Sequence, residues 1–194
     1  EPILCDKKVT HWGCAVAIVA AETADQAAAA AEKVRVEYEV LPRYRTPAES
    51  SSSGAVPILP EFDSNLIYST CLKKSGKTDR EVEKAMQDSP VQVDIQFTTS
   101  RQSHLVIEPD NALAFIDEND RITVMSKSVG VHQHIAQLSA ALGVGPDKLR
   151  WIGIPCGGNF CYKCFVTSEG FVALGAMKFR RPCKIVYSMA ETIL

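Results

Sequence analysis

From Asn111 to Ser188 the hydrophobic period switches repeatedly, and this alternation constrains the fold more than any other feature of the chain. "NALAFID" and "RITVMS" alternate as strands and are joined by the turn-forming "DEND". "HIAQLSAALG" then sets Ile135, Leu138 and Leu142 at helical spacing, with Gly143 as its stop. "LRWIGI" reads as a strand, residues 168–179 as a helix and "CKIVYS" as a last strand. Helices and strands are interleaved with no repeat at a solenoid period, so the fold class is α+β (mixed α/β).

Ahead of that run, "CAVAIVA" is β-rich, and Thr23 with Gln26 forms a capping box that opens an alanine-rich helix to about Lys33. "VRVEYEV" alternates as a half-exposed strand. From Pro42 to about Thr78 the pattern is lost among Pro47, the serines 50–53, Gly54, Pro57, Pro60 and Gly76, which predicts a surface connector and a domain boundary. Thr78 and Glu81 make a second capping box for a short helix whose Val82, Ala85 and Met86 share a face. "VQVDIQFTT" alternates as a strand. The sequence thus divides into residues 1–60 and 61–194.

Composition narrows the function classes. With 194 residues, 46% of them hydrophobic, the chain can bury a core. Its 21 Lys plus Arg against 23 Asp plus Glu, a formal charge of -2, give no footprint for a nucleic-acid backbone. The apolar run 15–21 is too short to span a bilayer. Seven cysteines, an odd number set partly within apolar patterns, fit reduced thiols and a cytoplasmic location. Glu1 in place of an initiator Met, leading straight into "PILC", reads as a piece of something longer.

The densest chemistry lies in "IPCGGNFCYKC". Cys156, Cys161 and Cys164 have the C-x4-C-x2-C spacing of a two-iron cluster loop, with Cys183 as a fourth ligand, which would make the chain an electron-transfer module. Phe160, Tyr162 and Lys163 are bulky for such a loop, and zinc would need four tetrahedral ligands without any C-x2-C pair to complement them. A strand-to-helix turn with buried thiols accounts for the cysteines more simply than a cluster and would leave a non-catalytic structural domain. Gly157 and Gly158, between a strand and a helix, supply a third reading, in which backbone N–H groups approach an anionic ligand. They form neither a dinucleotide nor a nucleoside-triphosphate signature. His104, His132 and His134 lack partners at ligand spacing, and the last two point to different sides of a helix, so they read as structural.

Gly157, Gly158, Phe160, Tyr162 and Lys163 also resemble the G-G-x-F-G-x-K loop of the molybdenum hydroxylases (the xanthine dehydrogenase/aldehyde oxidoreductase family), in their bacterial aldehyde oxidoreductase branch. "EPILCDKKV", "AAAAAEKVRVEYEVLP", "RQSHLVIEPD", "SKSVGVHQH" and "TSEGFVALGAM" are similar to counterparts there in the same order. The resemblance implies the latter half of a hammerhead domain plus connector over 1–60, and the first part of a molybdopterin-binding domain over 61–194. It implies a molybdopterin-dependent enzyme that hydroxylates aldehydes or heterocycles with oxygen from water. In such an enzyme iron–sulfur clusters lie outside this chain, on the rest of the polypeptide or on a partner subunit, and a homodimer is allowed. It implies cofactor contacts from Gly157, Gly158, Phe160, Cys161 and Tyr162, with no catalytic residue and no direct metal ligand in this segment, which would be inactive alone. Cys161 stands where the family carries Gly, and Val129 where xanthine dehydrogenases carry Gln. Glu108, before Pro109, resembles a family position near the substrate, although a carboxylate there also suits a turn or salt bridge.

Overall fold

The structure, a computed structural model, describes residues 2–70 and 76–193. It divides into two compact units, one made of Glu1–Glu37 with Gln102–Leu194 and the other of Tyr38–Arg101. In the first unit, α1 (Ala24–Ala31) starts at the expected box, with Thr23 Oγ1 accepting from Gln26 N and the Gln26 side chain accepting from Thr23 N. The segment 1–37 is tied to the rest of that unit: Ile3 packs 3.3 Å from where a Gly170 Cβ would stand, and Glu22 pairs with Arg181 at 2.6 Å.

The second unit holds α2 (Pro47–Ser50) and α3 (Asp79–Gln87), the latter opened by the Thr78–Glu81 box. The supposed connector is more ordered than its composition suggests. Asn65 Oδ1 accepts from Ile58 N at 2.7 Å, and its Nδ2 donates to Ser50 O at 2.9 Å and Val56 O at 3.1 Å, so one amide ties three points of the loop. Residues 71–75 of that connector lie outside the described residues.

The remainder of the first unit is β1 (Asn111–Ile116), β2 (Ile122–Lys127), α4 (Val131–Leu142), β3 (Leu149–Ile154), α5 (Ser168–Phe179), β4 (Cys183–Val186) and a short α6 (Met189–Ile193). The β1–β2 turn is built by Asp117, whose carboxylate accepts from the N–H of Asn119 and Arg121, from Arg121 Nε and from the Thr123 hydroxyl, each at 3.0 Å. α4 ends where Gly143 turns left-handed at φ 68°, as its sequence predicts. The strands form one mixed sheet in the order β3-β2-β1-β4. β1 runs antiparallel to β2 and β4, while β2 and β3 run parallel. α5 packs on β1, where Ala112 and Ala114 meet a helix face containing Val172, Ala173 and Ala176. Small residues on both elements let helix and strand approach closely. On the core side of β2, full burial of Val124 stabilises by about 2 kcal/mol.

Three expected strands are absent. Residues 14–20, 34–40 and 91–99 carry no strand, and Val91, Val93, Ile95 and Phe97 are all exposed. Alternation marks a face able to be buried, but a strand also needs a continuous ladder, and among the described residues only the single bond from Cys5 N to Ala15 O reaches these segments from another stretch of backbone. Among the described residues no helix is long and apolar enough to cross a membrane.

Candidate functional site

The carboxyl ends of β2, β3 and β4 and the amino end of β1 meet at one end of the sheet, since Lys127 pairs with Ile154, Ala112 with Ser126 and Asn111 with Val186. Ligands of sheets with parallel strands favour this end. The loop 155–167 leaves β3 there and returns into α5.

The loop is held in place by a carboxylate ahead of β1. Glu108 Oε2 accepts from Gly157 N at 2.6 Å and pairs with the buried ammonium of Lys163. A Cβ on Gly157 would lie 2.7 Å from Glu108 Cβ, so glycine is required at this position by the approach of Glu108. Partial burial pushes the Glu108 carboxyl up, but the Lys163 and Gly157 hydrogen bonds outweigh it and hold the group below the usual carboxylate range. Glu108 is therefore the salt-bridge group that its position before Pro109 allowed.

Between those anchors the backbone is unusual. Gly158 has φ 103°, and two residues with side chains follow it in the left-handed region, Phe160 at φ 47° and Cys161 at φ 67°. Tyr162 N returns to Asn159 O at 2.9 Å, and Lys163 N to Asn159 Oδ1 at 2.7 Å, closing the turn. The amides of Gly158, Asn159, Phe160 and Cys161 have no acceptor among the described residues. The Phe160 ring is 73% exposed at the tip, and Cys161 is exposed beside it. Tyr162 turns inward, its ring 5.5 Å from that of His104 and its hydroxyl donating to Asp110 Oδ2 at 3.0 Å. Burial first, then the Asp110 charge, hold the Tyr162 phenol above its ordinary range, so it remains a donor.

Beneath the loop lies a buried polar cluster that sequence reading missed. Lys127 Nζ sits 2.6 Å from Asp110 Oδ1 and 2.7 Å from Glu169 Oε1, all three side chains at most 1% exposed. Asp110 also accepts from the Thr167 hydroxyl, and Glu169 from Ser126 Oγ at 2.8 Å and Thr167 N at 2.8 Å. The only local signals were a Lys closing an apolar strand and a Glu in the first turn of an apolar helix. These stand 42 positions apart, and nothing in either segment pairs them.

The cysteines do not converge. Cys156 Sγ lies 3.2 Å from Gly158 O, Cys164 Sγ 3.6 Å from Asn159 Nδ2, and Cys183 packs against Gly175. Among the described residues, no three His, Cys, Asp or Glu side chains are grouped so as to hold a metal ion. His132 is exposed on α4 and His134 buried, its ring 4.9 Å from that of Trp151. Val129 is half exposed in the turn between β2 and α4.

The unpaired amides and the left-handed turn suit a ligand rich in acceptor oxygens. Comparison with known proteins identifies the family. Residues 58–194 match the molybdopterin cofactor-binding domain, and residues 1–42 match the a/b hammerhead domain of aldehyde oxidase and xanthine dehydrogenase. The chain is 36% identical over 191 residues to an aldehyde oxidoreductase of Megalodesulfovibrio gigas, covering 98% of this chain and 20% of that protein. It is 30% identical over 192 residues to the molybdenum-binding subunit of a xanthine dehydrogenase of Escherichia coli, covering 98% of this chain and 25% of that protein. The solved aldehyde oxidoreductase of Desulfovibrio desulfuricans superposes with a TM-score of 0.87 at 34% identity, over 98% of this chain and 21% of that one. The chain thus spans about a fifth to a quarter of the length of these relatives.

Proposed function

The chain belongs to the molybdopterin cofactor-binding domain family, and from that premise we propose that it is part of a molybdenum hydroxylase acting on aldehydes or related heterocycles. In this reading residues 1–60 complete a hammerhead domain and residues 61–194 begin the cofactor-binding domain. The rest of the polypeptide or a partner subunit carries the iron–sulfur clusters. The observation that carries the reading is the loop 158–161, which presents amides without an acceptor among the described residues and an exposed aromatic at the ligand-favouring end of the sheet.

A bound molybdopterin centre would supply two-electron oxidation with oxygen from water. This chain's residues bind and shape. The amides of Gly158, Phe160 and Cys161 donate hydrogen bonds to acceptor oxygens, while Phe160 excludes water from the face it covers. Tyr162, fixed through Asp110, and Lys163, fixed through Glu108, hold the turn open. Gly157 serves by admitting Glu108. In this reading the chain contributes positioning and other segments contribute the base.

Cofactor content tests the reading. The intact protein carrying this sequence should contain stoichiometric molybdenum and pterin. Lys163→Met should lower both several-fold by releasing the loop, while Arg181→Met at an exposed pair should not. The 194-residue chain alone should not oxidise a benzaldehyde-type substrate with a dye acceptor. Intact protein without molybdenum, undiminished content in Lys163→Met, or turnover by the chain alone would overturn it.

A further inference from the structure

A second cluster of reactive side chains lies in residues 5–14. A turn from His11 to Cys14, with Cys14 N directed at His11 O and Gly13 left-handed at φ 91°, folds the Cys14 thiol back onto the His11 ring. Sγ lies 3.0 Å from His11 Nδ1 and 3.7 Å from Thr10 Oγ1. The pairing of Cys5 N with Ala15 O at 2.7 Å lays Cys5 alongside the residue that follows Cys14. Trp12 is 82% exposed within the turn. A thiol in contact with an imidazole, with a second thiol within reach and solvent access, is the arrangement of a reactive cysteine with a resolving partner.

We propose that Cys14 is a thiol-modification site, activated by His11, that reacts with low-molecular-weight disulfides and is resolved by Cys5 into a Cys5–Cys14 disulfide. The Cys14 proton passes to a His11 ring nitrogen, and the thiolate attacks one sulfur of the small disulfide. That S–S bond breaks, its other half leaves as a thiolate that takes up the proton, and a mixed disulfide remains on Cys14. The Cys5 thiol then attacks Cys14 Sγ and releases the second half as a thiol. Two electrons have moved from the two cysteines to the small disulfide, which is reduced to two thiols. Burial pushes the Cys14 thiol up, but hydrogen bonds from the His11 and Thr10 backbone, the Thr10 hydroxyl and the Cys5 side chain hold it below its ordinary value. The inference is independent of the cofactor reading.

The test is peptide mass spectrometry on the intact native protein at about pH 7. With iodoacetamide, Cys14 should be alkylated faster than the comparably part-buried Cys183, a measurement that needs no variant. With oxidised glutathione the wild type should form the Cys5–Cys14 disulfide, and Cys5→Ser should retain glutathione on Cys14. His11→Ala should slow Cys14 modification by roughly tenfold at neutral pH, the loss recovering as pH rises. Faster modification at Cys183 than at Cys14, an unchanged Cys14 rate in His11→Ala, or no adduct on Cys14 in Cys5→Ser would each refute the proposal.

Discussion

Replacing Lys127 by Met should be among the most damaging single substitutions in this chain, although the new side chain is apolar and of similar length. The Lys127 ammonium lies 2.6 Å from Asp110 and 2.7 Å from Glu169, and none of the three side chains is more than 1% exposed. Met leaves two carboxylates buried side by side. Removing one partner of a buried ion pair costs about 3–5 kcal/mol, because the remaining charge loses compensation while staying out of water. Here the lower end applies. Asp110 keeps the Tyr162 and Thr167 hydroxyls, and Glu169 keeps Ser126 Oγ and Thr167 N. We therefore expect about 3 kcal/mol, a large fraction of a domain's usual 5–15 kcal/mol.

Urea denaturation followed by circular dichroism at about pH 7 measures the loss, with the m-value as a check that the denatured state is unchanged. Arg181→Met, which breaks the exposed pair with Glu22, sets the scale at roughly 0.5 kcal/mol or less. Adding Asp110→Asn to Lys127→Met should recover part of the loss, giving a coupling above about 1 kcal/mol. A Lys127→Met cost as small as that of Arg181→Met, or a coupling near zero, would refute the argument that the cluster is held by compensation of charge.

Other expectations follow from single residues. Burial pushes the Asp117 carboxyl up, but hydrogen bonds from Arg121, Asn119 and Thr123 bring it down to about 2 from an ordinary 3.8. A depressed folded-state value gives stability present above the ordinary value and lost as pH falls toward the folded one, so Asp117→Asn should flatten the acid limb of the stability profile between about pH 4 and 2. An unchanged limb refutes this. Gly157→Ala should cost about 1–3 kcal/mol, because its Cβ meets Glu108 Cβ at 2.7 Å; a neutral result in urea melts would mean that Glu108 moves freely. Cys161→Gly should be neutral or stabilising and Cys161→Val destabilising by about 2 kcal/mol, since only Gly is unstrained at φ 67° and a β-branched residue is worst there. Equal effects would place that backbone elsewhere.

The sheet and its two covering helices were legible because each element carries its own instruction. Gly143 stops α4, the helix expected over 168–179 is Ser168–Phe179, and both Thr capping boxes form as their spacing requires. The unformed strands at 14–20, 34–40 and 91–99 show the limit of periodicity: it states which face is apolar, and pairing depends on a neighbour that the segment does not encode. The Asn65 clasp was hidden for a related reason, because one polar side chain in a Pro- and Ser-rich stretch gives no periodic signal at all.

At the candidate site the glycines were visible and the anchoring of Gly157 was not. Two adjacent glycines after a strand suggested backbone approach to a ligand, yet the Gly157 amide is held by Glu108, and the left-handed turn continues through Phe160 and Cys161. What keeps two side-chain-bearing residues in that region is the anchoring on either side: Glu108 grips Gly157 and Lys163, and Asp110 grips Tyr162 and Thr167. Asp110 is in turn fixed by Lys127 at the end of β2. A strained turn persists only where its surroundings over-determine it. The buried cluster therefore links core packing to the exposed loop, and damage at Lys127 should appear first as loss of order at residues 158–161, before the sheet itself melts.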